Sequence, residues 1–493
     1  MRGLVRLWTN RNIVCAALWL MVDAGATTLD DIGYTALQTM LGGALPTGDQ
    51  LTIDQIEASN SPEADPPIYL ANESLSSFPH TQIIDRSGLN SAEFSGHANS
   101  VANRIGGITE SQLPSLFRID AYEVNDWTIR VLERVPPEPP DLPSLPQVGS
   151  GAIGNHSYAG GLTDPSDMDE IAFFKNILLR LDWLVAEDDY FHAVGASSPS
   201  NSVLMAHAMN VIGVKNTAAT INMATLDLAD PYQALRPAVQ LVAPASSPSD
   251  ATGVVSSSAG LLKALFPGAP LVPELMKAIL MASALRDTNN TQGGQIINYG
   301  AQPSLNGLDY RYGAGQLNVL NAYEILNSGT QNSNGSVTPV GYHWAENFGA
   351  RNQVNIYQFE SGPNPDFFVA SLVWNLNLNS LPIAFTPNPI LYNLNLGLYD
   401  VTDGGNILVS ESNSEIDNTE NIRLQLVANR HYELRVSHSQ QTNFDWPYAL
   451  AWRLGTTAIP NPTTQIPAVS NFLSALLGIL VVVLGWRVRT REC

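Results

Sequence analysis

Near residue 330 the apolar residues of this chain change their spacing, and that change restricts the possible folds more than any single motif does. Upstream, between Ile171 and Val185, they fall at 171, 174, 178, 181 and 185, the stripe of a helix. Downstream, LNLGLYDV (Leu394 to Val401), NIRLQLV (Asn421 to Val427), HYELRVS (His431 to Ser437) and YALAWRL (Tyr448 to Leu454) alternate with period two, separated by turn residues. No helical pattern competes there. Two periods kept apart along the chain imply a part that mixes helix and strand, followed by an antiparallel β-sandwich.

Within the first part, extended and helical segments take turns. Leu51 to Glu57 reads as a strand and Tyr190 to Val194 as another. Val254, Ser258, Leu261 and Leu265 line a helix, and Pro273 opens the next, through Leu275, Ile279, Ala282 and Leu285, with proline at its favoured first position. Such alternation implies an α/β fold: a mainly parallel sheet with helices on both faces. At 493 residues the chain is too long for one ordinary core. SGTQNSNGSVTP (Ser328 to Pro339) and GTTAIPNPTTQIP (Gly455 to Pro467) read as linkers, which places domains at 27–330 and 338–456. The Pro-rich stretch from Val135 to Pro146 reads as a surface loop inside the first domain.

The two ends carry addresses. Arg2, Arg6 and Arg11 precede the apolar run Ile13 to Val22, and Ala24-Gly25-Ala26 supplies a cleavage signal, so residues 1–26 are expected to be a secretory signal peptide. The run Phe472 to Trp486 is shorter than the roughly 20 residues of a comfortable spanning helix and is followed by Arg487, Arg489 and Arg491. With Ile466-Pro467-Ala468-Val469-Ser470 before it, segment 466–493 looks like the IPTL- and PEP-CTERM-type sorting tags of exported Gram-negative proteins. Such a tag implies transient membrane association and a location in the cell envelope or outside the cell; a simple tail anchor is the other reading. The two cysteines, Cys15 and Cys493, fall in these end segments, so the body between them has no internal disulfide and depends on core burial. With 24 Lys and Arg against 45 Asp and Glu, a net charge of −21 argues against nucleic acid as a partner.

One stretch of the α/β part raises a chemical question. Ser246 to Leu265 read SSPSDATGVVSSSAGLLKAL, and Ser249 falls directly before the helix expected over Ala251 to Leu265. Backbone N–H groups and the positive helix end would favour an alkoxide there, and then an oxyanion. A serine in that place also serves as an N-cap. His97, in SGHANSVA, opens a helix of small residues, and Glu57 ends the strand LTIDQIE, where a carboxylate can orient a histidine from a neighbouring helix. A nucleophile, a base and an orienting acid are the parts that acyl transfer needs. His80, His156, His192 and His207 show no metal-ligand spacing.

Taken in order, these segments resemble the subtilases, the subtilisin-like serine peptidases. LTIDQIE looks like the strand that delivers the family's acid, SGHANSVA is similar to HGTxVAG, and SPSDATGVVSSSAGLLK looks like GTSxAxPxVxxxxALL. GAIGNHSYAG (Gly151 to Gly160) resembles the substrate-flanking strand, PELMKAILMASA the helix after the nucleophile helix, and YGAGQLNVLNAYEIL the final turn and helix. The separations, 97 − 57 = 40 and 249 − 97 = 152, are similar to the family's. The resemblance implies a subtilisin-like sheet, a protein or peptide substrate, a monomer, and catalysis by Ser249, His97 and Glu57. It implies no cofactor; structural calcium occurs in the family, but no ligand loop is legible. The segment 338–456 resembles pre-peptidase C-terminal domains.

Three departures bear on activity. Glu57 stands where the family has Asp, and its extra methylene moves the carboxylate about 1 Å, a displacement that can cost roughly 100-fold in rate. Asp54 and Asp85 are alternative orienters at non-matching places. Ser247-Pro248 replace Gly-Thr before the nucleophile, and Gly253 replaces a proline in its helix. Ala196 occupies the position of the oxyanion-stabilising Asn, whose loss costs about 100- to 1000-fold; Ser197, Ser198 or Asn201 could substitute, whereas Asn155 belongs to the substrate strand. These departures keep a second expectation open, a subtilase-fold surface protein without catalysis that acts as a binding or structural module.

Overall fold

The computed structural model describes residues 28–455, apart from 62, 92, 134–144, 147–150, 152, 159, 197–203, 218–225, 287–288, 291–294, 297–298, 301–302, 365 and 382–383. The expected signal peptide and sorting segment lie outside the described residues, as do Ser197, Ser198 and Asn201. Seven parallel strands form the main sheet: β1 (Thr52–Glu57), β2 (Gln82–Asp85), β3 (Arg118–Glu123), β4 (Ile153–His156), β5 (Phe191–Gly195), β6 (Ile212–Asn216) and β7 (Leu241–Ala243). Their order is β2-β3-β1-β4-β5-β6-β7, and every pairing between neighbours is parallel. β4 and β5 are buried along their whole lengths, as strands covered on both faces must be.

Period two sorts β1 between those faces. Ile53 joins the core with Val101 of α2 (Gly96–Gly106) and Val254 of α4 (Pro248–Leu265). Ile56 joins the opposite core with Leu178 and Leu181 of α3 (Met168–Asp188). Gln55 and Glu57 therefore share the α2/α4 face of the sheet.

The structure departs from the sequence reading at α4. It begins at Pro248, not Ala251, and Ser247 is its N-cap, accepting the Asp250 amide at 3.1 Å. Nor is it amphipathic: every residue from Asp250 to Leu262 is buried. Its serines are satisfied internally, Ser257 Oγ accepting the Gln112 amide at 3.0 Å and Ser258 Oγ accepting Gln112 Nε2 at 2.7 Å. Gly253 allows α2 to lie against α4, since a Cβ there would stand 2.8 Å from the Arg104 Cβ. A small residue is thus what the helix crossing demands where a proline was expected.

The α5 helix (Pro273–Ala282) and the α6 helix (Val319–Asn327) pack on the same side. So does α1 (Tyr34–Leu41) together with the helical turn Thr28–Asp31 before it, both missed in the sequence. Ile32 and Leu37 are fully buried, the Ile32 carbonyl accepts the Val319 amide at 2.8 Å, and the Asp31 carbonyl accepts Gln316 Nε2 at 3.0 Å.

The C-terminal part forms two sheets, with the alternating strands expected from period two. One has four strands, in the order Val340–Phe348, Trp446–Gly455, Phe367–Val373, Thr419–Gln425, all antiparallel. The other has five, Gly335–Ser336, Asn355–Glu360, His431–His438, Leu394–Asp400 and Ile407–Ser412, and its first pairing is parallel. A hairpin, Asn377–Leu381 with Ala384–Ile390, was not foreseen; its Phe385 reaches α3, where the Arg180 guanidinium lies 4.3 Å from the ring centre.

Ser328 to Pro339 is not a free connector. Gln331 donates its amide to the Tyr342 carbonyl at 2.7 Å, and Gly335–Ser336 is a strand of the five-stranded sheet. Helix α5 packs against Phe367–Val373 and Trp446–Gly455, so both parts belong to one compact unit. Buried Glu274 fastens the joint by accepting Trp344 Nε1 and Asn375 Nδ2, both at 2.9 Å.

Candidate active site

The three residues singled out for acyl transfer come from three elements that end or begin at one edge of the sheet. Glu57 closes β1, and its side chain is 1% exposed. His97 stands in the first turn of α2, which Ser95 caps by accepting the Ala98 amide at 3.0 Å. Ser249 stands in the first turn of α4. All three line one cleft of about 370 Å³, together with Ser59, Asn60, Ser157, Tyr158, Gly195 and Pro248.

The carboxylate and the imidazole are joined: Glu57 Oε2 lies 2.7 Å from His97 Nδ1. The bond to Glu57 raises the His97 pKa, burial opposes it, and the Asp250 carboxylate adds to the rise. Burial pushes the Glu57 carboxyl up, opposed chiefly by its bond to His97 and then by one from Gln55. With Glu57 accepting at Nδ1, the proton of neutral His97 sits there and Nε2 is left as the base.

Ser249 is released from capping duty, because Ser247 does that work. Its hydroxyl donates to the Ser157 carbonyl at 3.2 Å, and the Ser157 hydroxyl donates back to the Ser249 carbonyl at 3.2 Å. Ser157 is held in turn by Asn155 Nδ2 at 2.8 Å, and Asn155 Oδ1 accepts Ser256 of α4 at 3.0 Å. This relay pins the segment after β4 onto the first turn of α4. It leaves the Ser249 hydroxyl on a backbone carbonyl rather than on His97 among the described hydrogen bonds, so attack requires a rotation about χ1. Asn155 is an internal brace in β4, as expected of a residue of that strand.

The other candidates lie elsewhere. Asp54 points to the opposite face of β1, where it accepts the Tyr190 hydroxyl and the Gly151 amide; burial pushes its pKa up to about 7. Asp85 accepts the Tyr69 hydroxyl and the Gly88 amide. Ala196 is fully buried, and its amide is spent on the Val214 carbonyl at 2.7 Å, so neither its side chain nor its N–H serves an oxyanion.

Two residues of the site escaped the sequence reading. Asp250, beside Ser249, is buried and accepts Ser100 Oγ at 2.7 Å and Ser246 Oγ at 2.5 Å. Gln55 donates to Glu57 Oε1 at 2.8 Å. The signal for Gln55 was its place two residues before a strand-end carboxylate, which puts both on one face. Among the described residues no group of three His, Cys, Asp or Glu stands together to hold a metal ion.

Among solved structures the chain is similar to the Prenylagaramide maturation protease PagA, at 15% identity and a TM-score of 0.34, over 56% of this chain and 93% of that one. It is similar to the serine protease MycP1 of the type VII (ESX-1) secretion system at 13% identity and a TM-score of 0.37, over 61% and 90%. Over 24% of its length it is similar to the pre-Peptidase C-terminal Domain of Collagenase from Bacillus anthracis, covering 93% of that chain at 11% identity and a TM-score of 0.18. No protein-family model and no curated protein matches the sequence. The fold assignment rests on the strand order and helix placement given above.

Proposed function

We propose that the chain is an exported, subtilisin-like serine endopeptidase that cleaves peptide bonds with Ser249, His97 and Glu57. The observation that carries this reading is the 2.7 Å Glu57–His97 bond in the cleft that Ser249 also lines. Ser249 Oγ attacks the scissile carbonyl carbon while His97 Nε2 takes the hydroxyl proton, and Glu57 steadies the imidazolium that forms. The Ser249 amide at the α4 N-terminus faces the developing oxyanion. The C–N bond then breaks as His97 returns the proton to the departing amine, and water releases the acyl group by the same steps reversed.

In this reading residues 1–26 direct export, 466–493 hold the protein transiently at a membrane, and the C-terminal sheets serve as an accessory module. Among the described residues no helix is long and apolar enough to cross a membrane. Two observations favour the second reading, a binding or structural module without catalysis: Ala196 gives the site no oxyanion donor, and the Ser249 hydroxyl rests on the Ser157 carbonyl. A fluorophosphonate probe separates the two. Labelling of the folded wild type at Ser249, absent from Ser249→Ala, supports the peptidase; a folded wild type that takes no label at neutral or alkaline pH supports the module.

A further inference from the structure

We propose that Gln55 is a positioning residue that holds the Glu57 carboxylate against His97 and so compensates for the acid being a glutamate. The inference rests on the peptidase reading for its catalytic consequence, but its geometry stands without it. Gln55 is 1% exposed. Its Nε2 donates to Glu57 Oε1 at 2.8 Å and to the Ala98 carbonyl at 3.0 Å. Ala98 follows His97 in the first turn of α2, so one side-chain amide ties the strand that carries the acid to the helix that carries the base.

The two oxygens of Glu57 are thereby divided, Oε1 to Gln55 and Oε2 to His97. A glutamate has one more rotatable bond than an aspartate, and fixing it inside a dry site takes a second anchor. The anchor cannot be reversed. With Nε2 and Oε1 exchanged, a carbonyl oxygen would face a carboxylate and a backbone carbonyl, both acceptors. The remaining atom, Gln55 Oε1, is buried without a partner. An unsatisfied buried acceptor costs stability, which the two bonds made by Nε2 offset. Those bonds go to the strand that carries the acid and the helix that carries the base, so the amide acts at the site and not in the core.

The test uses the full chain and the variant Gln55→Met, which keeps length and removes the donor. We expect kcat on a peptide substrate, and the rate of fluorophosphonate labelling, to fall about 10- to 100-fold. KM should stay within about twofold, while the thermal midpoint falls, because the buried Glu57 Oε1 and the Ala98 carbonyl lose their donor. In a Ser249→Ala background, the low-field proton resonance of His97 Nδ1–H should move upfield or vanish. Rates within about twofold of wild type with that resonance unchanged would overturn the proposal.

Should the methionine variant not fold, Gln55→Glu decides. Its carboxyl donates only when protonated, so the resonance should be present in acid and lost as pH rises; a resonance indifferent to pH overturns the proposal. If wild type neither cleaves nor labels, the peptidase reading fails, while the resonance, which needs no turnover, still tells whether Gln55 positions the pair.

Discussion

Helices α4 and α5 both begin at a proline, and both hold a polar side chain at the next position, yet those side chains meet opposite fates. At α4 the cap is Ser247, and Ser249 faces a cleft. At α5 the capping position is Val272, which offers no side-chain bond, and Glu274 is buried under Trp344 of the four-stranded sheet and Asn375, just beyond the strand Phe367–Val373. The first turn of a helix attracts negative charge in either place. What differs is who answers it. In α5 the protein's own donors close over Glu274; in α4 Ser247 caps the turn, the buried carboxylate Asp250 stands within it, and Ser249 is left facing the cleft. On the peptidase reading, the α4 start can react because its capping is done by Ser247 and not by Ser249, which faces the cleft.

The comparison breaks first at α5. Glu274→Ala leaves the Trp344 and Asn375 donors buried without an acceptor, and denaturant unfolding should show a loss of about 2–4 kcal/mol. The folded fraction should label at Ser249 at the wild-type rate, because the joint lies away from the cleft. A loss of labelling in folded protein would show that the two helix starts are coupled. Ser247→Ala should cost less, about 1 kcal/mol, as other N-caps do. Here labelling should slow as well, since the first turn that seats Ser249 loses its cap; unchanged labelling would mean that capping and reactivity are independent at α4.

The smallest effect concerns pH. His97 must be neutral to act as a base, and its pKa is raised, so activity should climb with pH through a midpoint above that of an ordinary histidine. Asp250→Asn removes a charge that adds to the rise. The midpoint should move to lower pH, read from the acid limb of kcat/KM. A shift to higher pH would mean that Asp250 acts on the pair by packing and not by charge.

Much of this site was legible in the residues because each chemical group marks the end of an element. Glu57 closes an alternating strand, His97 follows a Ser-Gly start, and Ser249 precedes an apolar stripe. The partners were less legible. The helix over Ala251 to Leu265 was legible, but not that Gln112 and Asn155 lie against its serines. Gln55 acquires meaning only from the glutamate two residues later. The strands of the C-terminal sheets show their faces by period two, but alternation says nothing of partners. The parallel pairing of Gly335–Ser336 and the hairpin ending at Ile390 therefore had no local signal. The helical turn at Thr28–Asp31 was too short to show a stripe.

That early turn has a bearing on how the protein is made. Its seat is built by residues 285 positions further along, where Gln316 reaches the Asp31 carbonyl. Among the described residues, this turn and the helix after it therefore wait, with Ile32, Tyr34 and Leu37 uncovered, until most of the α/β region has been synthesised. Closing so long a loop is slow and comes late, so this segment is where a holding chaperone has both the time and the apolar surface to bind.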